Sequence, residues 1–487
     1  MKSFSGKMGI KGSKFKNRFI VFLLLFISSG RLSGQTTQVT VHLRGVYNSK
    51  VSIQSLSGQS IKTIAESPPV SRDGVTMLSV SKDLLPGAFL LRFDYKEKES
   101  STPYPSEKQV IITDQNLELW VHPMYLNNPD STYFQEEERE NYALRSFSTE
   151  SARRKEKLAL IQNFLMGYDQ PDTEFYQSGI QEFEKRRRGY NQWVEDQSLI
   201  HKDLFVSRSF QFQHISEIRW VGSETERVQS LITSYFEGIS LHDPVITKTV
   251  EFKDWMNRYV NIYGTSASSI ALRDSLFTLA GKRAIEKARE GHPMVYGWMV
   301  DYFYYGFESF NIQSGIKMLQ PYLSDPRCLT TKRLEIDKRL KGIESIVPGI
   351  LAPDFKVTRA GKVLGFSKYK TESPYKLILF WSADCHHCKE FVKEFYPWNE
   401  ANGKNRIEVF AMSVDETELE IDRWKKAKDL LPKWNHHRVG INSPEAGAYF
   451  VLSTPTMVLV DSNNNKIIGL PNGLEMIKSM VNSFQTP

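Results

Sequence analysis

Two cysteines stand two residues apart in the segment Cys385-His386-His387-Cys388. Two thiols at this spacing, at the start of a helix, can bring their sulfur atoms within bonding distance, so the pair can exchange disulfides with other thiols. The N-terminal end of a helix also carries unpaired N–H groups and a positive dipole end, which stabilise a thiolate. We therefore predict that Cys385 is the nucleophile and that Cys388 resolves the mixed disulfide.

The two histidines between the cysteines are predicted to tune the thiolate. His386 and His387 can donate hydrogen bonds to the Cys385 sulfur or, when protonated, pair with its charge. Both effects favour the reduced form and make the disulfide more oxidising. Reduction potentials of such pairs range from about −270 mV in a reducing protein to about −120 mV in a strong oxidant, and we expect a value above the lower limit.

The elements around the pair have the order strand, turn, cysteines, helix. Tyr375–Trp381 is an almost continuous apolar run, as expected for a strand buried on both faces, and Lys389–Phe395 has helical spacing. This context favours thiol–disulfide exchange. Further along, Pro455 stands just before an apolar strand, a position that suits a cis peptide bond after Thr454. We expect Thr454 and Pro455 to face the cysteines and to bind the backbone of an extended substrate.

The rest of the chain predicts a multidomain protein. Its 487 residues correspond to about three domains at about 150 residues each. Residues 35–125 alternate apolar and polar side chains between turn residues, which predicts an N-terminal antiparallel β domain of the sandwich type. Residues 126–346 carry charged and aromatic side chains at helical spacing, which predicts a central all-α domain. In residues 347–487 strands alternate with helices, which predicts a C-terminal α/β domain.

Residues 1–34 are predicted to be a signal peptide. They carry seven basic residues, no acidic residue, the apolar run Phe19–Ile27 and then small residues. Nine apolar residues are too few to span a bilayer, which takes about 20. The remaining chain has 56 basic and 56 acidic residues, so its net charge gives no support to nucleic-acid binding. We expect a periplasmic protein, exported by the signal peptide, with no transmembrane helix in the mature chain.

From about Gly349 to its end, the chain resembles the thioredoxin superfamily, and within it the exported TlpA/ResA-like thiol–disulfide oxidoreductases of the Bacteroidetes type. The segments that carry the resemblance are Ala352–Phe355, Leu379–Cys388, Val409–Asp415 and Ser453–Thr456. The resemblance implies a thioredoxin-like fold and substrates that are protein thiols and disulfides. It also implies a membrane or periplasmic thiol protein as electron partner and no bound cofactor. Trp381, together with Thr454 and Pro455, is expected to bind the substrate.

Two positions depart from this family's pattern. Asp384 stands directly before the first cysteine, where the family often has Trp, and a carboxylate beside a thiolate opposes its formation. Phe391 stands three residues after the second cysteine, where reductase members tend to carry Glu. Glu390 is one residue earlier, about 100° away around the helix, and is the candidate for proton handling. These departures leave the direction open between a reductase and an oxidase or isomerase.

A metal site is one alternative function. The Cys385–Cys388 segment consists of ligand residues, and His436 and His437 add two more. Neighbouring residues on a helix point about 100° apart, so four adjacent side chains do not converge on one ion. We therefore predict no metal at this segment.

Two further alternatives are peroxide reduction and a non-catalytic docking role. Peroxidases of the superfamily resemble one another in a Pro/Thr/Cys loop that activates a lone cysteine, and the residues around Cys385 do not match it. A binding or assembly protein could instead use a thioredoxin-like domain only to dock peptides, although retention of both cysteines argues against this. The third cysteine, Cys328, is predicted to be an inert buried thiol.

Overall fold

The structure is a computed structural model that describes residues 36–56, 61–220, 222–359, 361–401 and 407–483. The predicted signal peptide, residues 1–34, lies outside the described residues. The chain divides into two compact units, one ending at Tyr296 and the other beginning at Gly297. The domain boundaries drawn from the sequence remain predictions. In the part of the chain that the structure describes, no helix combines the length and the apolar character needed to cross a membrane.

The N-terminal region consists of two β-sheets. Its strands are β1 (Thr36–Leu43), β2 (Asn48–Ser55), β3 (Lys62–Glu66), β4 (Val70–Ser71), β5 (Val75–Ser81), β6 (Gly87–Lys96), β7 (Tyr104–Ile112), β8 (Leu117–Val121) and β9 (Tyr133–Phe134). One sheet has the order β5-β1-β8-β9, and the other has the order β3-β2-β6-β7 with β4 paired to β2. Every second residue of β1 is buried, because one face of its sheet lies on the core. The predicted antiparallel β domain is confirmed, with one parallel pairing, between β1 and β8.

The central region is helical, as predicted. Its α-helices are α1 (Glu140–Gly167), α2 (Glu174–Ile200), α3 (Ser207–Phe210), α4 (Glu224–Ser234), α5 (Val250–Gly264), α6 (Ile270–Arg289), α7 (Pro293–Ser309), α8 (Gln313–Met318), α9 (Gln320–Leu323) and α10 (Arg333–Ser345). Side-chain caps fix several helix starts. Thr173 accepts the N–H of Tyr176 at the start of α2, and Ser223 and Glu226 form a capping box at the start of α4.

The C-terminal region confirms the predicted α/β domain. Its elements are β10 (Lys356–Arg359), β11 (Lys362–Gly365), β12 (Tyr375–Trp381), α11 (His386–Ala401), β13 (Ile407–Ser413), α12 (Glu418–Asp429), β14 (Asn435–Arg438), α13 (Pro444–Ala448), β15 (Thr456–Asp461), β16 (Ile467–Gly469) and α14 (Leu474–Ser483). Five strands form a sheet in the order β14-β13-β12-β15-β16. β12, β13 and β14 run parallel, whereas β15 is antiparallel to β12 and β16 is antiparallel to β15.

The central strand β12 separates two apolar cores. All seven of its residues are buried, as its continuous apolar run predicts. Leu377 and Leu379 pack on the side of α11 and α14, and Ile378 and Phe380 pack on the opposite side. Because β12 and β13 are parallel, both end at the same edge of the sheet. The turn that follows β12 carries Cys385 along that edge.

Candidate active site

The cysteine pair lies at the start of α11, as the sequence predicts. The sulfur atoms of Cys385 and Cys388 are within disulfide distance, and the two Cα atoms are 5.2 Å apart. Because α11 begins at His386, Cys385 occupies the N-cap position. The N–H of Cys388 donates to Cys385 Sγ at 3.1 Å, as the third residue of a helix does to its cap. This geometry can stabilise a thiolate on Cys385.

The two sulfurs differ in exposure. The side chain of Cys388 is completely buried and packs in the core between the sheet and α11, whereas Cys385 is half-buried. Only the Cys385 sulfur is therefore open to an approaching protein. The geometry suits an attacking Cys385 and a resolving Cys388.

The loop before β15 meets the cysteine pair from the other side. The peptide bond between Thr454 and Pro455 is cis, as the sequence predicts. The carbonyl oxygen of Thr454 lies 3.4 Å from Cys385 Sγ. The structure therefore brings Thr454 and Cys385 together, and a backbone that pairs with Thr454 would pass beside the sulfur.

Arg423 pairs with the carboxylate of Asp384, the residue directly before Cys385. Arg423 Nη1, from α12, donates to Asp384 Oδ2 at 2.5 Å. The positive charge partly offsets the repulsion that Asp384 exerts on a Cys385 thiolate. The sequence singles out Asp384 but not Arg423.

A buried carboxylate holds the turn between β12 and the cysteines. Asp415 is 2% exposed and follows β13 by two residues. It accepts hydrogen bonds from Ser382 Oγ at 2.6 Å, from Ser413 Oγ at 2.7 Å and from the N–H of Ala383 at 3.3 Å. Ser382 in turn accepts the N–H of Cys385 on its carbonyl oxygen at 3.2 Å. Asp415 therefore fixes the turn from which Cys385 projects.

Residues 348–465 match the family model described as the AhpC/TSA family. This C-terminal region is a thioredoxin-like domain of that family. No curated protein matches the chain.

Several solved structures are similar to the chain. A thioredoxin-like protein from Bacteroides caccae is 15% identical, covers 56% of this chain and 98% of its own, and has a TM-score of 0.37. The thioredoxin domain of a thiol-disulfide oxidoreductase from Bacteroides vulgatus is 22% identical, with coverage of 29% and 99% and a TM-score of 0.25. A thiol-disulfide oxidoreductase from Bacteroides fragilis is 22% identical, with coverage of 28% and 99% and a TM-score of 0.23.

The other predicted site residues take different places in the thioredoxin-like domain. His386 and His387 are exposed on the first turn of α11, with ring centroids 5.8 Å apart. Glu390 is exposed one turn further on. Trp381 is 2% exposed and lies under the cysteine pair in the same core as Cys388. Phe391, three residues after Cys388, is buried in that core as well.

The ligand residues considered for a metal site do not converge. His436 and His437 lie on the edge strand β14, beside β13. The His436 ring contacts the Leu431 carbonyl oxygen at 2.8 Å, and the His437 ring stacks on Phe410. Across the described residues, no group of three or more His, Cys, Asp and Glu side chains has an arrangement that could hold a metal ion.

Cys328 lies apart from the redox pair. Its side chain is 1% exposed, and burial raises the pKa of its thiol to about 11. A thiol with so little thiolate at neutral pH is a poor nucleophile. This environment agrees with the predicted inert role.

Asp415 and Arg423 are the site residues that the sequence does not identify as functional. Asp415 has a weak sequence signal, because it follows a buried strand. Neighbouring parallel strands end at the same edge of a sheet, so a carboxylate placed there lies near the turn that follows the other strand. Arg423 has none, because helical periodicity predicts a polar face for α12 but does not predict which residue that face meets.

Proposed function

We propose that the thioredoxin-like domain is a thiol–disulfide oxidoreductase that acts on exported proteins through Cys385 and Cys388. The observation that carries the proposal is the placement of one half-buried sulfur, on Cys385. It lies between the N–H of Cys388 and the carbonyl oxygen of Thr454. The first group stabilises a thiolate, and the second belongs to a backbone segment that an extended client can pair with.

The reaction proceeds in two exchange steps. The Cys385 thiolate attacks one sulfur of a client disulfide, the client S–S bond breaks, and the other client sulfur leaves as a thiolate that takes a proton from solvent. Cys388 then loses its proton and attacks Cys385, so that the Cys385–Cys388 disulfide forms and the second client thiol is released. The client gains two electrons and the pair loses two. A second thiol protein, in the membrane or the periplasm, returns the pair to its starting state.

The same two steps in reverse oxidise a client, and the reduction potential decides the direction. His386 and His387 can stabilise the thiolate from the exposed first turn of α11, which raises the potential. Glu390, exposed on the next turn, is the candidate that moves protons during exchange. Thr454 and Pro455 hold the client backbone. Trp381, which the sequence also predicts to bind the client, is 2% exposed and packs in the core that contains Cys388, so it offers little surface to a client.

The first experiment is a measurement of the reduction potential of the Cys385–Cys388 pair. The protein without its predicted signal peptide is equilibrated with glutathione buffers. The free thiols are then alkylated, and the masses of the products are determined by mass spectrometry. A potential well above that of glutathione indicates an oxidase or isomerase, and a potential near about −270 mV indicates a reductase. If no disulfide forms between the two cysteines, the redox proposal is wrong and a docking or metal-binding role replaces it.

A trapping experiment tests the order of attack. Cys388→Ser should accumulate a mixed disulfide between Cys385 and a client peptide, because the resolving thiol is missing, whereas Cys385→Ser should accumulate none. Cys328→Ser is the matched control and should behave like the wild type.

The alternative functions are tested on the same preparations. Consumption of hydrogen peroxide and the total content of zinc and copper are measured, because rapid peroxide consumption or bound metal would favour one of those functions. Determination of the N-terminal residue of the exported protein by mass spectrometry tests the predicted signal peptide.

A further inference from the structure

Helix α10, in the predicted helical domain, contacts the loop that leads to the cysteine pair. Lys338 Nζ donates to the carbonyl oxygen of Val451 at 3.2 Å. One turn further along α10, Gly342 lies against Phe450, where an added Cβ would be 2.8 Å from the Cβ of Phe450. The close approach therefore needs glycine at position 342.

The contacted loop is held in one conformation. Phe450 has a φ of 51°, in the left-handed region that non-glycine residues rarely adopt. Val451 is buried, and its N–H donates to the carbonyl oxygen of Ala446 at 2.9 Å. Three residues later, the carbonyl oxygen of Thr454 lies beside Cys385 Sγ. Lys338 thus binds one end of a short segment whose other end approaches the nucleophile.

Helix α10 is itself fixed in place. Ile346, directly after α10, is buried in the core cluster that contains Phe380 and Val451. Arg339 Nε donates to Glu308 Oε1 of α7 at 2.7 Å. These two contacts therefore hold the helix that carries Lys338.

We propose that Lys338 is a positioning residue for client binding: through the Val451 carbonyl it holds residues 451–454 where the Thr454 backbone can pair with a client. The inference rests on the proposed function, and it gives one helix of the predicted α-helical domain a part in the chemistry of the thioredoxin-like domain. A small disulfide does not need backbone pairing to reach Cys385. Loss of the Lys338 contact should therefore affect protein and peptide clients more than small disulfides.

The test compares two disulfide substrates on the reduced form of each variant. For wild type, Lys338→Met, Lys338→Arg and Lys341→Met, the rate constants are measured for a disulfide-containing peptide and for the small molecule 2-hydroxyethyl disulfide. Met keeps the methylene stem of Lys338 but removes the donor, and Arg restores a donor. Lys341, on the same helix, pairs only with exposed Asp337 among its described contacts and is the matched control.

We expect Lys338→Met to lower the ratio of the peptide rate constant to the 2-hydroxyethyl disulfide rate constant by about tenfold, mainly through KM for the peptide. Lys338→Arg should recover most of the ratio, and Lys341→Met should leave it at the wild-type value. Gly342→Ala, which pushes on Phe450, should lower the ratio in the same direction. An unchanged ratio in Lys338→Met, whether both rate constants fall together or neither falls, would overturn the proposal. If the wild type itself does not react with the peptide, it is the proposed function that fails.

Discussion

The guanidinium of Arg423 lies 2.5 Å from the carboxylate of Asp384, the residue directly before Cys385. The Asp384 side chain is 32% exposed and the Arg423 side chain is 51% exposed, so the pair is screened by water and contributes little to stability. The ion pair matters instead for the electrostatic environment of Cys385. The cation from α12 offsets a negative charge that would otherwise stand unpaired beside Cys385.

Replacing Arg423 with Met should raise the pKa of the Cys385 thiol, because the Asp384 charge then opposes the thiolate without compensation. Exposure limits the effect, and we expect alkylation of the reduced protein at pH 7 to slow by about threefold. The measurement is the pH dependence of the iodoacetamide reaction at Cys385. The reduction potential should fall in parallel, because a less stable thiolate favours the disulfide.

A double variant separates this charge effect from a change of shape. Arg423→Met combined with Asp384→Asn removes both charges, and its alkylation rate should return to that of the wild type or exceed it. Arg423→Lys keeps a cation and serves as the conservative control. The contrary result is that Arg423→Met slows alkylation by the same factor in the wild-type background and in the Asp384→Asn background. That result would mean that the guanidinium acts on the site by some route other than this ion pair.

Replacing Asp415 with Ala should destabilise the thioredoxin-like domain. The change leaves the hydroxyls of Ser382 and Ser413 and the N–H of Ala383 without their buried acceptor, at an expected loss of about 2–4 kcal/mol. At about 2–4 °C per kcal/mol, the melting temperature should fall by about 5–15 °C. Differential scanning calorimetry of the full chain checks the prediction.

Two further variants serve as controls for the melting temperature of Asp415→Ala. Asp415→Asn keeps one acceptor oxygen and should lose less than Asp415→Ala. Asp422→Ala removes a carboxylate whose described partner is exposed Lys425, and it should leave the melting temperature almost unchanged. A shift in Asp415→Ala as small as that in Asp422→Ala would mean that the buried network does not support the turn.

The parts of the site that the sequence predicts are those that depend on neighbours along the chain. The apolar run of β12 predicts a fully buried strand, and the turn and helix that follow place Cys385 at an N-cap. These steps involve about ten consecutive residues, so local rules decide them. The loop at Thr454 is remote in sequence, and its prediction depends on the position of Pro455 directly before an apolar strand, together with the cysteine pair upstream.

The parts that the sequence does not predict are contacts between distant residues. Asp384 and Arg423 are 39 residues apart, and Lys338 and Val451 are 113 residues apart. Helical spacing indicates which residues share a face, but it contains no information on which loop that face meets. The parallel pairing of β1 with β8 has the same origin, because alternation in a strand does not encode the direction of its partner.

Cys328 should be almost inert to alkylation in the folded protein. With a pKa of about 11, only about one thiol in a thousand is ionised at pH 8, and its side chain is 1% exposed. Iodoacetamide should therefore label reduced native protein at Cys385 well before Cys328, and unfolding in urea should expose Cys328 to the reagent. Peptide mass spectrometry assigns the label. Fast labelling of Cys328 in the native protein would show that its surroundings open readily.

His437 should make the stability of the protein depend on pH below neutrality. Burial lowers the pKa of its imidazole from 6.5, and among the described residues its Nε2 atom has no hydrogen-bond partner. The unfolded chain therefore binds a proton more readily than the folded one, so the stabilising contribution is complete above pH 6.5 and is lost as the pH falls through the lower folded pKa. His436 lies next to it, and burial lowers its pKa in the same direction.

Replacing His437 with Phe, which keeps a ring against Phe410, removes one of these two titrating groups. The fall in melting temperature between pH 7.5 and pH 5 should be smaller in this variant than in the wild type. His242→Gln, at an exposed position, is the control and should keep the wild-type pH dependence. A pH dependence in His437→Phe as steep as that of the wild type would mean that the proton is taken up elsewhere, and His436, His214 and His122, whose pKa values burial also lowers, would be the next positions to replace.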